Sequence, residues 1–279
     1  FEALEELKLC GLEKIRAKHF NSIPNKSLIK VLFLERMSVI GFDFSSFKGL
    51  RELRFSTINN LTVGQFNSIP NKRNIKCLTF GINNIELNLS GFTSLEVLDL
   101  RESISFKAEQ FNTIPVEVKS SIKELNLRYN TVADFEFSEF NSLTVLNLGF
   151  VLDFTADQFN TISSQAKSSI ETLDLSCLGL DFMGEIRGQG VEGFDFSEFI
   201  SLKTLVMKQS RGVTANLFNT IPLKAKSSIE ILDLSFLGSY MMYIDGEALI
   251  MQDAGVAGFD FSEFTALREL RLSGVYQFT

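Results

Sequence analysis

The sequence is poor in the residues from which catalytic and metal sites are usually built. Tryptophan is absent, histidine occurs once, at His19, and cysteine occurs three times, at Cys10, Cys77 and Cys177. The cysteines lack paired spacing, which argues against a disulfide framework or a Cys-x-x-Cys metal site. No nucleophile–base pair and no glycine-rich phosphate loop is recognisable. We therefore expect no catalytic residues, no metal and no cofactor, and a protein that is not an enzyme.

Two further scarcities concern membranes and nucleic acids. No apolar run approaches the roughly 18 residues that a transmembrane helix needs, so we expect no membrane insertion. Basic residues are fewer than acidic ones, 27 against 34, and the net charge is -7. Nucleic-acid binding needs a basic surface, so nucleic acid is not an expected partner. The few cysteines slightly favour the cytoplasm, while a secreted or cell-surface location stays open.

Phenylalanine, in contrast, occurs 28 times, and the pattern apolar-x-x-Leu-x-apolar recurs along the whole chain. Two series alternate, which we call A strands and B strands. The A strands begin at Leu4, Leu50, Leu95, Leu143, Leu202 and Leu267, and the B strands at Ile29, Ile75, Ile122, Ile170 and Ile229. Because successive strand residues face opposite sides, the leucines point inward. One coil cannot bury them alone, so the coils must stack.

The two kinds of coil return by different paths. In A coils, Thr62 with Gln65 and Thr155 with Gln158 have the spacing of capping boxes for a short helix. Four prolines are expected to end these helices: Pro24, Pro70, Pro115 and Pro222. B coils return through segments such as GFDFSEF, whose three phenylalanines are expected to form a stacked aromatic spine.

Charged residues precede many of the strands. Lysines stand before the B strands, and glutamates stand before the later A strands; they are Lys26, Lys72, Lys119, Lys167 and Lys226, and Glu139, Glu198 and Glu263. Since the coils alternate, the two signs interleave. We expect a solvated ladder of weak surface salt bridges.

The repeat resembles the leucine-rich-repeat family, with its signature L-x-x-L-x-L-x-x-N. The resemblance implies an α/β solenoid: a horseshoe with eleven parallel concave strands, short convex helices in alternate coils and Phe-rich extended returns in the others. Only Asn83 and Asn130 match the family's asparagine, so other groups must bond the turn backbone elsewhere. Residues 1–279 are expected to form a single leucine-rich-repeat domain, with a double repeat of about 46 residues. Without evident caps, the chain is expected to be an excerpt of a longer array.

Two B coils are enlarged, at 178–193 and at 237–258, and both insertions must leave the same edge of the solenoid. The second reads YMMYI, Asp245-Gly246, EALIM. An Asp-Gly pair between apolar runs predicts a β-hairpin. Such an apolar hairpin suits contact with a partner, and it equally suits folding back over the solenoid.

The concave face should present one middle residue of each strand, polar from Asp99 to Asp174. This row predicts a hydrogen-bonding strip for a peptide or protein, although small polar residues also simply suit a crowded sheet. We expect a non-enzymatic protein-binding module or scaffold, whose partner is another protein or peptide, a second copy included. The alternative is a structural component of a filament, coat or surface layer formed by self-assembly. The candidate partner-binding residues are Asp99, Asn126, Asn147, Asp174, Val206, Asp233, Ile231, Tyr240, Met241, Met242, Tyr243, Ile250 and Met251.

Overall fold

The computed structural model describes residues 3–81, 85, 87–103, 106–181, 185–244, 247–252 and 255–275, with the backbone alone for 239–252. The chain divides into two compact units, 1–125 and 126–279. All eleven expected strands are present, parallel and in chain order, which confirms the predicted leucine-rich-repeat fold. The single-domain organisation and the longer parent array stay predictions.

In the first unit the middle row is in register, as the repeat predicts. Lys8 pairs with Phe33, Phe33 with Arg54, Arg54 with Thr79, and Thr79 with Asp99. The strands are β1 (Glu6–Cys10), β2 (Val31–Ser38), β3 (Glu52–Asn59), β4 (Cys77–Gly81), β5 (Val97–Asp99) and β6 (Glu124–Asn126), whose last residue belongs to the second unit.

The second unit repeats this arrangement. Asn147 pairs with Asp174, Asp174 with Val206, Val206 with Asp233, and Asp233 with Arg271. Its parallel strands are β7 (Val145–Asn147), β8 (Thr172–Asp174), β9 (Thr204–Val206), β10 (Ile231–Asp233) and β13 (Glu269–Arg271). Between β10 and β13 lies the predicted hairpin, β11 (Ser239–Ile244) with β12 (Glu247–Gln252).

Each A coil that returns to a B strand carries the expected short helix. These are α1 (Ala17–Asn21), α2 (Val63–Asn67), α3 (Ala108–Asn112), α5 (Ala156–Asn160) and α7 (Ala215–Asn219). Both predicted capping boxes form, since Thr62 Oγ1 accepts from the Gln65 N–H at 3.1 Å and Thr155 Oγ1 from the Gln158 N–H at 3.2 Å. In the part of the chain that the structure describes, we find no helix with the length and hydropathy of a membrane span.

The prolines do more than end these helices, which corrects the expectation. A second short helix follows in all five coils, after a proline in four of them and after Ser163 in the fifth. These are 3₁₀ helices at Lys26–Leu28 and Lys72–Asn74, and α4 (Val116–Lys119), α6 (Ser164–Ser169) and α8 (Leu223–Lys226). Pro115 and Pro222 are the N-cap residues of α4 and α8. Proline suits a helix start because its fixed φ matches a helix and the first turn leaves an N–H unbonded anyway.

The aromatic core joins coils rather than running within one return, which corrects the predicted spine. Phe159 of α5 stacks on Phe194 at a centroid distance of 4.1 Å and on Phe199 at 5.2 Å. Within the return, Phe194 and Phe196 are only tilted toward each other, at 6.5 Å. Phe20 and Phe218 repeat the inter-coil stack in their own coils. The helix phenylalanine of an A coil is thus inserted between two rings of the following B coil.

The expected ladder of solvated lysines is wrong for four of the five lysines, although Lys167 does pair with Glu198, at 3.6 Å. Lys119 is 0% exposed, and Lys26, Lys167 and Lys226 are buried as well. The ammonium groups of Lys26, Lys119 and Lys167 lie at the ends of the A-coil helices; Lys167 Nζ, for example, donates to the Asn160 carbonyl at 3.0 Å. The stems cover phenylalanine rings, as Lys26 Nζ lies 5.2 Å from the Phe20 centroid. A cation at a helix C-terminus is favoured by the helix dipole and by the unpaired carbonyls there, so burial is compensated.

Candidate partner-binding surface

The middle row of the parallel strands lies on the side opposite the buried leucines, and we call this side the strand face. Five row residues share one contact: the side-chain oxygen accepts a hydrogen bond from the backbone N–H two residues later. The bonds are Asp99 to Arg101 (3.1 Å), Asn126 to Arg128 (3.1 Å), Asn147 to Gly149 (3.1 Å), Asp174 to Ser176 (2.9 Å) and Asp233 to Ser235 (2.9 Å). This is the Asx turn, in which the side chain takes the place of a backbone acceptor.

The Asx turn sets where a strand stops. All five strands that end at such a residue are three residues long, whereas β2 and β3, with Phe33 and Arg54 in the row, extend to eight. β9 has Val206 instead and is also short. It lies between β8 and β10, which both end in Asx turns, so the regular ladder stops there, although single backbone bonds such as Met207 N–H to the Asp233 carbonyl (2.8 Å) still join the turns.

The candidate residues of the strand face therefore differ in their exposure and in whether their side chains are already paired. Asp99 is 8% exposed and its carboxylate also binds the Arg101 side chain, at 2.6 Å from Nη2. Asp233 is 5% exposed and lies 3.4 Å from Arg271 Nη1. The remaining five face residues, Asn126, Asn147, Asp174, Val206 and Ile231, are half-buried. The Asx role was missed from the sequence, although Asp or Asn two residues before a turn is its usual signal.

The place of the family's asparagine is partly filled by serine. Ser103 Oγ donates to the Phe80 carbonyl and Ser210 Oγ to the Leu175 carbonyl, each in the preceding coil of the same unit. Asn130 is buried, and its Nδ2 donates to the Leu127 carbonyl at 2.9 Å. These contacts confirm that other groups take over the asparagine's task in two coils. Asn83 lies outside the described residues.

One backbone feature recurs where each strand leaves the sheet. The residue two positions after the last inward strand residue has a positive φ in ten coils: Gly11, Arg36, Thr57, Glu102, Tyr129, Phe150, Cys177, Gln209, Phe236 and Gly274. This conformation directs the N–H to the next coil, as with Phe150 to the Ser176 carbonyl (2.8 Å) and Gln209 to the Ser235 carbonyl (2.8 Å). It keeps the coils bonded while the chain turns, yet it strains any residue other than glycine.

In the second unit three of the six left-handed positions carry aromatic rings, each beside a cation. Tyr129 and Phe150 stack at 4.8 Å, and the Arg128 guanidinium carbon lies 5.2 Å from the Tyr129 ring centroid and 5.9 Å from that of Phe150. Further along, Lys208 Nζ lies 5.6 Å from the ring of Phe236, which is 41% exposed. We call these five residues the cation–aromatic edge. It borders the strand face at the carboxyl ends of the strands.

The two insertions differ in structure. In the first, Leu180 and Ile186 form an antiparallel bridge, and Arg187 binds Asp181 at 3.0 Å and Glu185 at 3.0 Å. In the second, β11 pairs with β12 over six residues on each strand. The backbones of Tyr240, Met241, Met242 and Tyr243 lie in β11, and those of Ile250 and Met251 in β12. The Asp245-Gly246 turn lies outside the described residues.

The groups that could support catalysis are dispersed. In the described part of the chain, no three His, Cys, Asp or Glu side chains lie together as metal ligands would. His19 is exposed and Cys177 is buried, and burial raises the pKa of the Cys177 thiol to about 11. An opening of about 590 Å³ in the second unit is lined by Asp134, Asp153, Asp157, Gln158, Arg187 and Glu192, away from the strand face.

The fold is that of leucine-rich repeats. No protein-family model and no curated protein sequence matches the chain. Among solved structures, a leucine-rich-repeat protein of Leptospira interrogans is similar, with a TM-score of 0.49 and 16% sequence identity. The match covers 94% of this chain and 64% of that protein, so this chain spans less than two thirds of its length.

Proposed function

We propose that the protein is a non-enzymatic binding module for another protein or peptide. The contact surface is the strand face around Asn126, Asn147, Asp174, Val206 and Ile231, together with the enlarged coils. Asp233 shapes its margin through its ion pair with Arg271. No nucleic acid and no cofactor is part of the proposal.

One observation carries the proposal: the hairpin is a separate two-stranded sheet. Among the described strands, β11 and β12 pair only with each other. A hairpin alone in water is marginally stable, and it needs another strand or an apolar surface against it. Its sequence, SYMMYI and EALIMQ, is apolar well beyond one side of a hairpin. A partner that covers Tyr240, Met241, Met242, Tyr243, Ile250 and Met251 would supply the missing contact.

A peptide library displayed on phage tests this proposal with a defined ligand. Selection on the intact chain is followed by affinity measurement on two variants, each with one insertion replaced by a short Gly-Ser link. The hairpin variant lacks 239–252, and the control variant lacks 181–190. We expect selected peptides to bind the hairpin variant at least about ten-fold more weakly than the intact chain, and to bind the 181–190 variant with a smaller loss, because the first insertion is the shorter part of the surface. Equal binding to all three would exclude the hairpin from the site.

The same hairpin also favours the structural alternative, because each of its strands has an edge without a pairing strand in the described sheet. Open edges are templates for pairing with a second copy. Sedimentation equilibrium across a wide concentration range separates the two functions. Oligomers that revert to monomers when 239–252 is replaced would support self-assembly through the hairpin. A monomer at all concentrations would exclude self-assembly and favour the binding module.

A further inference from the structure

The cation–aromatic edge has a feature that stacking of the coils does not require. Its rings occupy Tyr129, Phe150 and Phe236, whose φ values are 59°, 56° and 59°. The equivalent positions Gly11 and Gly274 hold glycine at 65° and 64°, and glycine takes this conformation without strain. The backbone hydrogen bond to the next coil uses only the N–H. A bulky side chain there strains the backbone without serving that bond.

Non-glycine residues take this conformation in eight of the ten described coils, so strain alone does not distinguish this edge; its aromatic rings do. Phe236 remains 41% exposed, and Tyr129 and Phe150 are half-buried, so the rings contribute little to a buried core. What they do is support cations. Arg128 lies over Tyr129 and Phe150, and Lys208 over Phe236.

These two cations differ from those on the first unit's strand face. There, Lys8 pairs with Glu6, Arg54 with Glu52 and Arg101 with Asp99. Arg128 and Lys208 have no acidic partner within 4.0 Å in the part of the chain that the structure describes. Arg128 Nε is buried and without a hydrogen bond among those residues. Two cations without an acidic partner on one edge of a chain of net charge -7 favour an anionic ligand at that edge.

The spacing of the cations describes that ligand further. Arg128 follows β6 and Lys208 follows β9, and the coil turns between them are bonded in sequence from Tyr129 to Gly149, Phe150 to Ser176 and Cys177 to Lys208. Three steps at about 4.8 Å place the two positions about 14 Å apart. An extended peptide covers that distance in about four residues. Aromatic faces beside the cations suit an apolar side chain between two carboxylates.

We propose that the cation–aromatic edge binds an extended acidic peptide segment whose two carboxylates, about four residues apart, pair with Arg128 and Lys208 while an apolar residue between them contacts Phe150. This names the partner chemistry of the proposed binding module and rests on that function. The direction of the segment is across the strands, alongside Asn147 and Asp174.

Fluorescence anisotropy with labelled synthetic peptides tests the proposal. The probe is SGSEGFGESGSG. Two matched peptides serve as controls: one carries Gln in place of both Glu, and in the other the two Glu are only two residues apart. We expect the probe to bind the intact chain about ten-fold more tightly than the Gln peptide, with affinity falling as salt rises. The variant R128Q/K208Q should lose that preference. The variant K203Q/K224Q removes two cations elsewhere and should keep it.

Three results would overturn the proposal. The intact chain could bind the probe no more tightly than the Gln peptide, R128Q/K208Q could bind the probe as tightly as the intact chain does, or both double variants could lose the same affinity for the probe. A single-stranded oligonucleotide of matched charge that binds more tightly than the probe would assign the edge to polyphosphates instead. The variant Phe150→Gly guards against a folding artefact. It removes strain from the backbone, yet it should still bind the probe more weakly.

Failure here is distinguishable from failure of the binding module. If binding of the phage-selected peptides depends on 239–252 but not on Arg128 and Lys208, the binding module is supported and the acidic-segment proposal is excluded. If no selected peptide binds, and binding of the acidic probe still depends on both cations, the cation–aromatic edge is supported as a site that does not need the hairpin.

Discussion

The ring of Phe159 lies flat on the ring of Phe194, with centroids 4.1 Å apart and planes 15° apart. The two residues belong to consecutive coils, the first on a helix and the second in an extended return. Phe20 on Phe42 (4.1 Å) and Phe218 on Phe259 (4.3 Å) repeat the contact. The excess of phenylalanine therefore serves the junction between unlike coils.

Phe159→Ala should lower the free energy of unfolding by about 3–5 kcal/mol, because a fully buried ring and its stack are lost. Urea unfolding followed by circular dichroism measures this. Phe236→Ala is the control; its ring is 41% exposed, so we expect a loss below about 1 kcal/mol. Similar losses for the two variants would mean that the stack contributes no special stability.

Lys167 tests whether the lysines before the B strands are structural. Its side chain is buried and ends 3.0 Å from the Asn160 carbonyl. Lys167→Ala should cost about 2–3 kcal/mol, because the packed stem is removed. Lys167→Met keeps most of the stem and should cost clearly less.

Lys203, whose pair with Glu171 is exposed, provides the reference for a surface salt bridge. Lys203→Ala should change the free energy of unfolding by no more than about 0.5 kcal/mol. If Lys167→Ala and Lys167→Met prove as mild as Lys203→Ala in urea unfolding, Lys167 acts as a surface charge after all.

Asp174 tests the Asx turn, and the chain itself supplies the conservative replacement. Asn126 and Asn147 make the same bond with an amide oxygen. Asp174→Asn should therefore leave the free energy of unfolding within about 0.5 kcal/mol, while Asp174→Ala should lower it by about 1–2 kcal/mol as the Ser176 N–H loses its acceptor. Thermal unfolding of both variants decides. An Asn variant as unstable as the Ala variant would show that charge, not the turn bond, matters.

The sequence predicted those parts of the fold that follow from periodicity. Leucine spacing located the eleven parallel strands and the registers described above, and the Thr–Gln spacing located two helix starts. The buried lysines were mispredicted because lysine before a strand suggests a solvated charge, whereas here the helix end and the phenylalanine rings compensate the burial. The left-handed turns were not predicted, since only Gly11 and Gly274 carry glycine at that position. The neighbourhood of Arg128 and Phe150 depends on coil stacking, which periodicity alone does not resolve.

The left-handed turn can be tested from both directions at one structural position. Gln209 has a φ of 55°, so Gln209→Gly should raise the free energy of unfolding by about 0.5–1 kcal/mol through relief of strain. Gly11 has a φ of 65°, and nothing lies within 4 Å of where a Cβ would stand. Gly11→Ala should therefore lower stability by about 1 kcal/mol through the backbone alone. Changes of the opposite sign in urea unfolding would contradict this account.

Glu96 gives the first unit a defined acid response. Its carboxylate accepts hydrogen bonds from Lys76 Nζ at 2.6 Å and Lys123 Nζ at 2.9 Å. These bonds lower the pKa of Glu96 from 4.5 to about 2. A carboxylate with a lowered folded-state pKa stabilises the fold fully above the unfolded pKa, and this contribution disappears as the pH falls through the folded pKa.

The stability difference between the intact chain and Glu96→Gln should accordingly be constant above about pH 5 and shrink progressively toward pH 2. Urea midpoints measured at intervals across that range give the difference. In a K76Q/K123Q background, the carboxylate has lost both donors, so the same substitution should give a difference that hardly changes with pH. A pH-dependent difference of equal size in both backgrounds would show that the two lysines do not lower the pKa of Glu96.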